Sequence, residues 1–243
     1  MLRRLPSRIG DNIRALADVL FPPLCYSCGT LLPTRQRIIC PGCVDAMHVI
    51  GAAEPLYLLA RERLCADGVV DDFLSLFRFE KGRELQTLLH QLKYSGAMGI
   101  GLWFGEQLGR AICDKTADLQ LDAIIPVPLH VVKKRERGYN QSAQVARGIG
   151  RIVGLPVMPD VIRRTRYTPT QTALDITGRK ENMDGAFCVP RRHLHKIPGR
   201  RFLLVDDLVT TGATVRACGA ALRLAGAQYV VACSVGLADR MRP

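Results

Sequence analysis

Twelve consecutive residues constrain this chain more than any other segment: Leu203-Leu204-Val205-Asp206-Asp207-Leu208-Val209-Thr210-Thr211-Gly212-Ala213-Thr214. Phe202 to Val205 is wholly apolar, which suits a parallel strand buried on both faces. A helix follows from about Thr214 to Ala225, closed by Gly226 at its C-terminal cap. A second apolar run, Tyr229 to Val235, completes a strand–helix–strand unit. In a parallel α/β sheet, ligands bind beyond the carboxyl ends of the strands. Asp206 and Asp207 fall there, and adjacent carboxylates can accept hydrogen bonds from a vicinal diol such as the 2- and 3-hydroxyls of a ribose. Thr210 to Thr214 open the helix with hydroxyls and free amides at its positive end, which suits a phosphate. Gly212 lets that phosphate approach the backbone. The competing reading is a polar turn whose threonines only cap the helix; it leaves the paired carboxylates without a purpose. No Gly-Lys-Ser/Thr occurs in the chain, which excludes the phosphate loop of nucleoside-triphosphate-binding proteins.

A second pattern lies near the amino terminus. Cys25-x-x-Cys28 and Cys40-x-x-Cys43 stand eleven residues apart. Each pair places two thiolates on one turn, and two such turns can close a tetrahedral structural Zn²⁺ site. Gly29 and Gly42 supply tight backbone at the two knuckles. Nine cysteines is an odd number, and nothing indicates an oxidising compartment, so a disulfide framework is disfavoured. Cys65, Cys113, Cys188, Cys218 and Cys233 lack paired spacing and read as free thiols.

The rest of the 243 residues divide around these features. Residues 7–20 show helical apolar spacing, ended by Pro22 and Pro23. With the cysteines they form an amino-terminal helix and zinc ribbon over residues 1–50. Residues 51–68 read as an irregular linker, and an α/β domain fills 69–243. Within it the patterns predict a strand at Phe73–Phe79, helices at about 83–94 and 100–112, and a buried strand from Ala123 to Val127. A basic loop and a helix at about 141–153 follow. No run approaches the roughly 18 apolar residues of a membrane span. The expectation is a soluble, cytoplasmic protein without stable membrane insertion.

Charge is unevenly spread. The formal net charge is +12, and residues 126–201 hold 16 basic and 5 acidic side chains, a net of +11. Such clustering points to an anionic partner.

The acidic pair and its Thr-Gly loop resemble the signature of the type I phosphoribosyltransferases. Two further segments resemble the competence protein F (ComF) family: Pro126-Val127-Pro128-Leu129-His130 with Arg135-Glu136-Arg137-Gly138-Tyr139-Asn140-Gln141, and Arg164 to Gln171 continuing through Leu174, Arg179, Asn182, Ala186 and Phe187. Tyr167 departs from the acidic residue that pattern carries. A four-cysteine zinc ribbon ahead of a phosphoribosyltransferase-like domain is that family's arrangement.

The resemblance implies a parallel sheet flanked by helices that binds phosphoribosyl pyrophosphate (PRPP) with Mg²⁺. Asp206 and Asp207 would hold the ribose diol as the catalytic pair, and Thr210, Thr211, Gly212, Ala213 and Thr214 the 5-phosphate. Pro128, Leu129, His130, Arg135 and Arg137 would form the pyrophosphate loop. Thr168, Gln171, Arg179 and Asn182 would belong to a flexible loop that closes over the ligand. It further implies a role in DNA uptake and natural transformation, with single-stranded DNA and a DNA-translocating helicase as partners. The alternative is an active glycosyltransferase that moves phosphoribosyl to an unknown acceptor. Residue 2 is Leu, which supplies no amino-terminal Cys nucleophile for glutamine amidotransfer.

Overall fold

The computed structural model describes residues 22–33, 38–165 and 186–239, apart from the side chains of 114–117. The helix expected over residues 7–20 lies outside the described residues. So do Thr168, Gln171, Arg179 and Asn182 of the expected flexible loop.

The elements, in chain order, are α1 (Pro41–Asp45), α2 (Pro55–Cys65), β1 (Asp72–Phe79), α3 (Glu84–Tyr94), α4 (Met98–Asp118), β2 (Ala123–Pro126), α5 (Val131–Arg137), α6 (Gln141–Val153), β3 (Arg163–Arg164), β4 (Phe187–Cys188), a 3-10 turn (Arg191–Lys196), β5 (Arg201–Val209), α7 (Ala213–Leu224) and β6 (Tyr229–Ala238). Four strands form one sheet in the order β1-β6-β5-β2. Every pairing in it is parallel. β3 and β4 pair separately and antiparallel.

Alternation along β5 divides the core. Phe202 and Leu204 face one apolar layer, with Leu56, Ala60 and Leu64 of α2 and Val215, Cys218 and Leu222 of α7. Leu203 and Val205 face the other, with Leu88 and Leu92 of α3, Phe104 and Leu108 of α4, and Val145 and Ile149 of α6. This is the expected parallel sheet flanked by helices, and covering both faces explains why its central strands read as unbroken apolar runs. Cys25, Leu32, Ile39 and Cys43 belong to the second layer, so the cysteine module shares a core with the sheet.

Two segments differ from expectation. Residues 51–68, expected as an irregular linker, hold α2, with Pro55 in its first turn and Leu56, Tyr57, Ala60 and Leu64 buried. Leu58 and Leu59 blur the apolar stripe there, so periodicity gave no signal. The basic loop after Val127 contains α5, a helix with no buried residue, and its ends explain it. The His130 ring accepts a hydrogen bond from the Val132 amide at 3.3 Å, and Gly138 closes the helix at φ 76°.

α4 and α6 cross at backbone contact. A Cβ on Gly105 would run into the Val145 carbonyl oxygen, and one on Gly148 into that of Leu102. No helix among the described residues is long and apolar enough to cross a membrane.

Candidate functional site

β5 carries Asp206 and Asp207 past its apolar half to the carboxyl end of the sheet. The Asp206 carboxylate accepts hydrogen bonds from Ser142 Oγ at 3.0 Å and from the Asp207 amide at 2.9 Å. Ser142 sits in the first turn of α6, whose cap is Asn140. The Asn140 side chain accepts from the Ser142 amide at 3.1 Å and donates to the Val127 carbonyl at 2.9 Å. One Asn thus ties the end of β2, the start of α6 and, through Ser142, the acidic pair.

Asp207 has a different partner. Lys93 Nζ, from the last turn of α3, stands 3.0 Å from its carboxylate. The two neighbouring acids are driven apart as a result. Burial, then the adjacent Asp207 charge, pushes Asp206 up to about 8. Burial would raise Asp207 as well, but the Lys93 ammonium more than offsets it and holds that carboxyl below its ordinary value. Lys93 is raised in turn, chiefly by Asp207.

Beside Asp207 opens a cavity of about 590 Å³, lined by Lys93, Tyr94, Leu129, Lys133, Glu136, Arg137, Arg164 and Asp207. Four cations face two carboxylates, so the cavity favours an anion. Arg137 lies 5.4 Å over the Tyr94 ring and donates to Gln141 Oε1 at 3.0 Å, which fixes its fork. Burial lowers Arg164, and burial followed by the charges of Arg137 and Arg164 lowers Lys133. An anionic ligand would relieve that mutual repulsion.

The structure brings Leu129, Arg137 and Asp207 to this cavity and buries Pro128 next to Leu129. Arg135 points elsewhere: it is exposed on α5 and does not line the cavity, because the segment is helical rather than a loop. His130 caps α5. Arg164, the first residue of the second family segment, also reaches the cavity, whereas Lys93, Tyr94, Lys133 and Ser142 carry no sequence signal that assigns them to this site. Lys93 ends an ordinary amphipathic helix, and only the docking of α3 on the sheet gives its charge a partner.

On the other side of the acidic pair, Gly212 adopts φ 75° as the cap of α7, and no side chain caps the helix. The first amides of α7 therefore remain without a side-chain cap. Thr210, Thr211, Ala213 and Thr214 are partly exposed around them. Such an arrangement accommodates a phosphate.

The four cysteines converge. Their Sγ atoms all lie within 4.8 Å of one another, and Cys28 and Cys40 are 3.7 Å apart. A tetrahedral Zn–S distance of about 2.3 Å implies S–S edges of about 3.8 Å, so the donor set fits Zn²⁺. All four thiols are free. The Thr30 hydroxyl, first among several hydrogen bonds, draws Cys28 down to about 6, whereas burial pushes Cys43 up to about 12.

The model of the phosphoribosyl transferase domain matches residues 107–242, over half of the chain, and the chain belongs to that family. Among curated proteins it is 32% identical over 149 residues to Competence protein F of Haemophilus influenzae, covering 60% of this chain and 65% of that protein. It is 37% identical over 134 residues to DNA utilization protein YhgH of Escherichia coli K12, covering 54% of this chain and 57% of the relative. The chain is thus similar to the proteins that its motifs suggested, and it spans less than two thirds of either relative's length. Among solved structures, the purine phosphoribosyltransferase of Pyrococcus horikoshii is 19% identical, with a TM-score of 0.34 over 54% of this chain and 72% of that one.

Proposed function

We propose that this protein binds PRPP at the carboxyl end of its sheet and acts in the handling of single-stranded DNA during uptake. The observation that carries the ligand assignment is the paired carboxylate on β5, with uncapped helix amides on one side and a cation-lined cavity on the other. Each part answers one part of PRPP. The ribose hydroxyls donate to Asp206 and Asp207. The 5-phosphate meets Thr210 to Thr214 at the start of α7. The pyrophosphate enters the cavity of Lys133, Arg137 and Arg164, where guanidinium forks match its oxygens. Mg²⁺ would arrive with the pyrophosphate and supply charge neutralisation there. Lys93 keeps Asp207 charged, which strengthens any hydrogen bond it accepts from a ribose hydroxyl.

The DNA half of the proposal is supported by two things. Related proteins are named for competence and for DNA utilization. The +11 charge of residues 126–201 also exceeds what one small anion requires.

The test is a PRPP titration with Mg²⁺, with and without single-stranded DNA, in wild type and in Asp206→Asn/Asp207→Asn. Losing the charged acceptor at Asp207 together with an acceptor oxygen at Asp206 should weaken PRPP by about tenfold or more. Unchanged PRPP affinity in the double variant would sink the site assignment. Pyrophosphate release on adding a base or amine would select the transferase reading instead.

A further inference from the structure

Part of the basic excess that the PRPP site does not use is gathered in one short segment. Residues 191–201 contain Arg191, Arg192, Lys196, Arg200 and Arg201, with no acidic residue among them. They fold as the 3-10 turn and the approach to β5, which puts them at the amino end of the parallel sheet. From Arg201 to Asp207, six residues at about 3.3 Å each, separates them from the acidic pair by ~20 Å.

This segment is built as a platform. Ile197 is wholly buried beneath it. The Gly199 amide donates to the Gly226 carbonyl at 2.9 Å, and the Arg200 carbonyl accepts from the Gln228 amide at 2.8 Å. Arg191, Arg192, Leu194, His195, Lys196 and Arg200 are exposed on top.

Charge pairing separates it from many of the arginines elsewhere on the surface, although among the described residues Lys134, Arg135 and Arg147 are likewise without a carboxylate partner. Arg61, Arg78, Arg83, Arg110, Arg151, Arg216 and Arg223 each have a carboxylate partner. Among the described residues, Arg191, Arg192, Lys196 and Arg200 have none. Of the nearby acids, Asp122 accepts from the Arg201 amide at 2.8 Å, and Asp160 acts on His193 only through space, with no ion pair to these cations. Uncompensated cations held on a rigid element are a surface whose counter-charge comes from outside the chain.

We infer that this platform at the amino end of the sheet is the principal single-stranded DNA surface, separate from the PRPP site. Its chemistry favours a nucleic acid over a protein or a membrane. Leu194 is the one large apolar side chain exposed within residues 191–201, too little for an interface core or for insertion into lipid. The Arg201 guanidinium stacks 4.7 Å over the Tyr229 ring at the platform's edge, a planar pair on which a base can stack. The inference rests on the DNA half of the proposed function and assigns it a place.

The experiment measures binding of a fluorescein-labelled oligothymidylate of about 30 nucleotides across a salt series. It compares wild type, Arg191→Gln/Arg192→Gln/Lys196→Gln/Arg200→Gln, and a carboxyl-end control, Lys133→Gln/Lys134→Gln, with PRPP affinity measured for the first two. Each phosphate contact contributes about −0.7 to the slope of log affinity against log salt. The platform variant should bind at least about tenfold more weakly with a slope shallower by about 3, while PRPP affinity holds. Equal DNA binding by the platform variant, with a loss in the control, overturns the inference and leaves the proposed function standing. Absence of DNA binding by wild type at low salt overturns the DNA half of both. A platform variant that keeps DNA but loses vesicles of acidic lipid would reassign the surface to a membrane.

Discussion

Adjacent identical side chains behave differently when their neighbours differ, and Asp206 and Asp207 show it. Asp207 faces an ammonium; Asp206 faces a serine hydroxyl, an amide and another acid. A carboxyl whose folded pKa is raised favours the folded state only while protonated. Its contribution is therefore lost as pH rises from the unfolded value of about 4 towards about 8. Asn at position 206 keeps an acceptor for Ser142 and the Asp207 amide but cannot ionise. Asp206→Asn should thus gain thermal stability relative to wild type between pH 5 and pH 8.5, seen as a widening difference in Tm. A constant difference across that range would show that Asp206 is already ionised in the folded protein. The loop residues were legible in the sequence because a strand, two acids and a Thr-Gly turn occupy one continuous stretch. Lys93 and Ser142 were not, because they reach the same point from helices far away in the chain.

Helices position this site as much as strands do. α6 sets Ser142 against Asp206, and α6 is itself held by its crossing with α4 at Gly105 and Gly148. A methyl group at either position meets backbone, which cannot rotate away. Gly148→Ala should cost about 1–3 kcal/mol or somewhat more in urea unfolding and weaken PRPP binding as Ser142 shifts. An unaltered midpoint would mean that the two helices separate freely. The apolar periodicity of α3, α4 and α6 made these elements readable. α2 and α5 escaped for opposite physical reasons: α2 carries apolar residues on too many sides, and α5 buries nothing and depends on its caps. A loop would let Arg135 and Arg137 act together, whereas the helical geometry of α5 sends them in different directions.

For the molecule as a whole, the cysteine module and the sheet are thermodynamically joined, since Cys25 and Cys43 share an apolar layer with Leu88, Phe104 and Val231. The spacing of the cysteines revealed the cluster but gave no sign of where it docks. Chelation should release one Zn²⁺ per chain and lower the Tm of a single calorimetric transition. Two separate transitions, with the upper one untouched, would show that the module unfolds alone. The order of the strands carries a further consequence, for synthesis. Among the described residues, β6 is the one strand of the four-stranded sheet that pairs with β1, beside a short antiparallel bridge from Val49 to Phe77, and the hydroxyls of Ser75 and Ser234 that meet across the β1–β6 pair are 159 residues apart in the chain. At ribosomal rates of about 5–20 residues per second, β1 waits roughly 8–30 s for its partner to be made. During that interval Phe73, Leu74 and Phe77 remain available to chaperones or to other nascent chains. The four cysteines, by contrast, are complete early enough to take up a metal ion before the sheet they rest on exists.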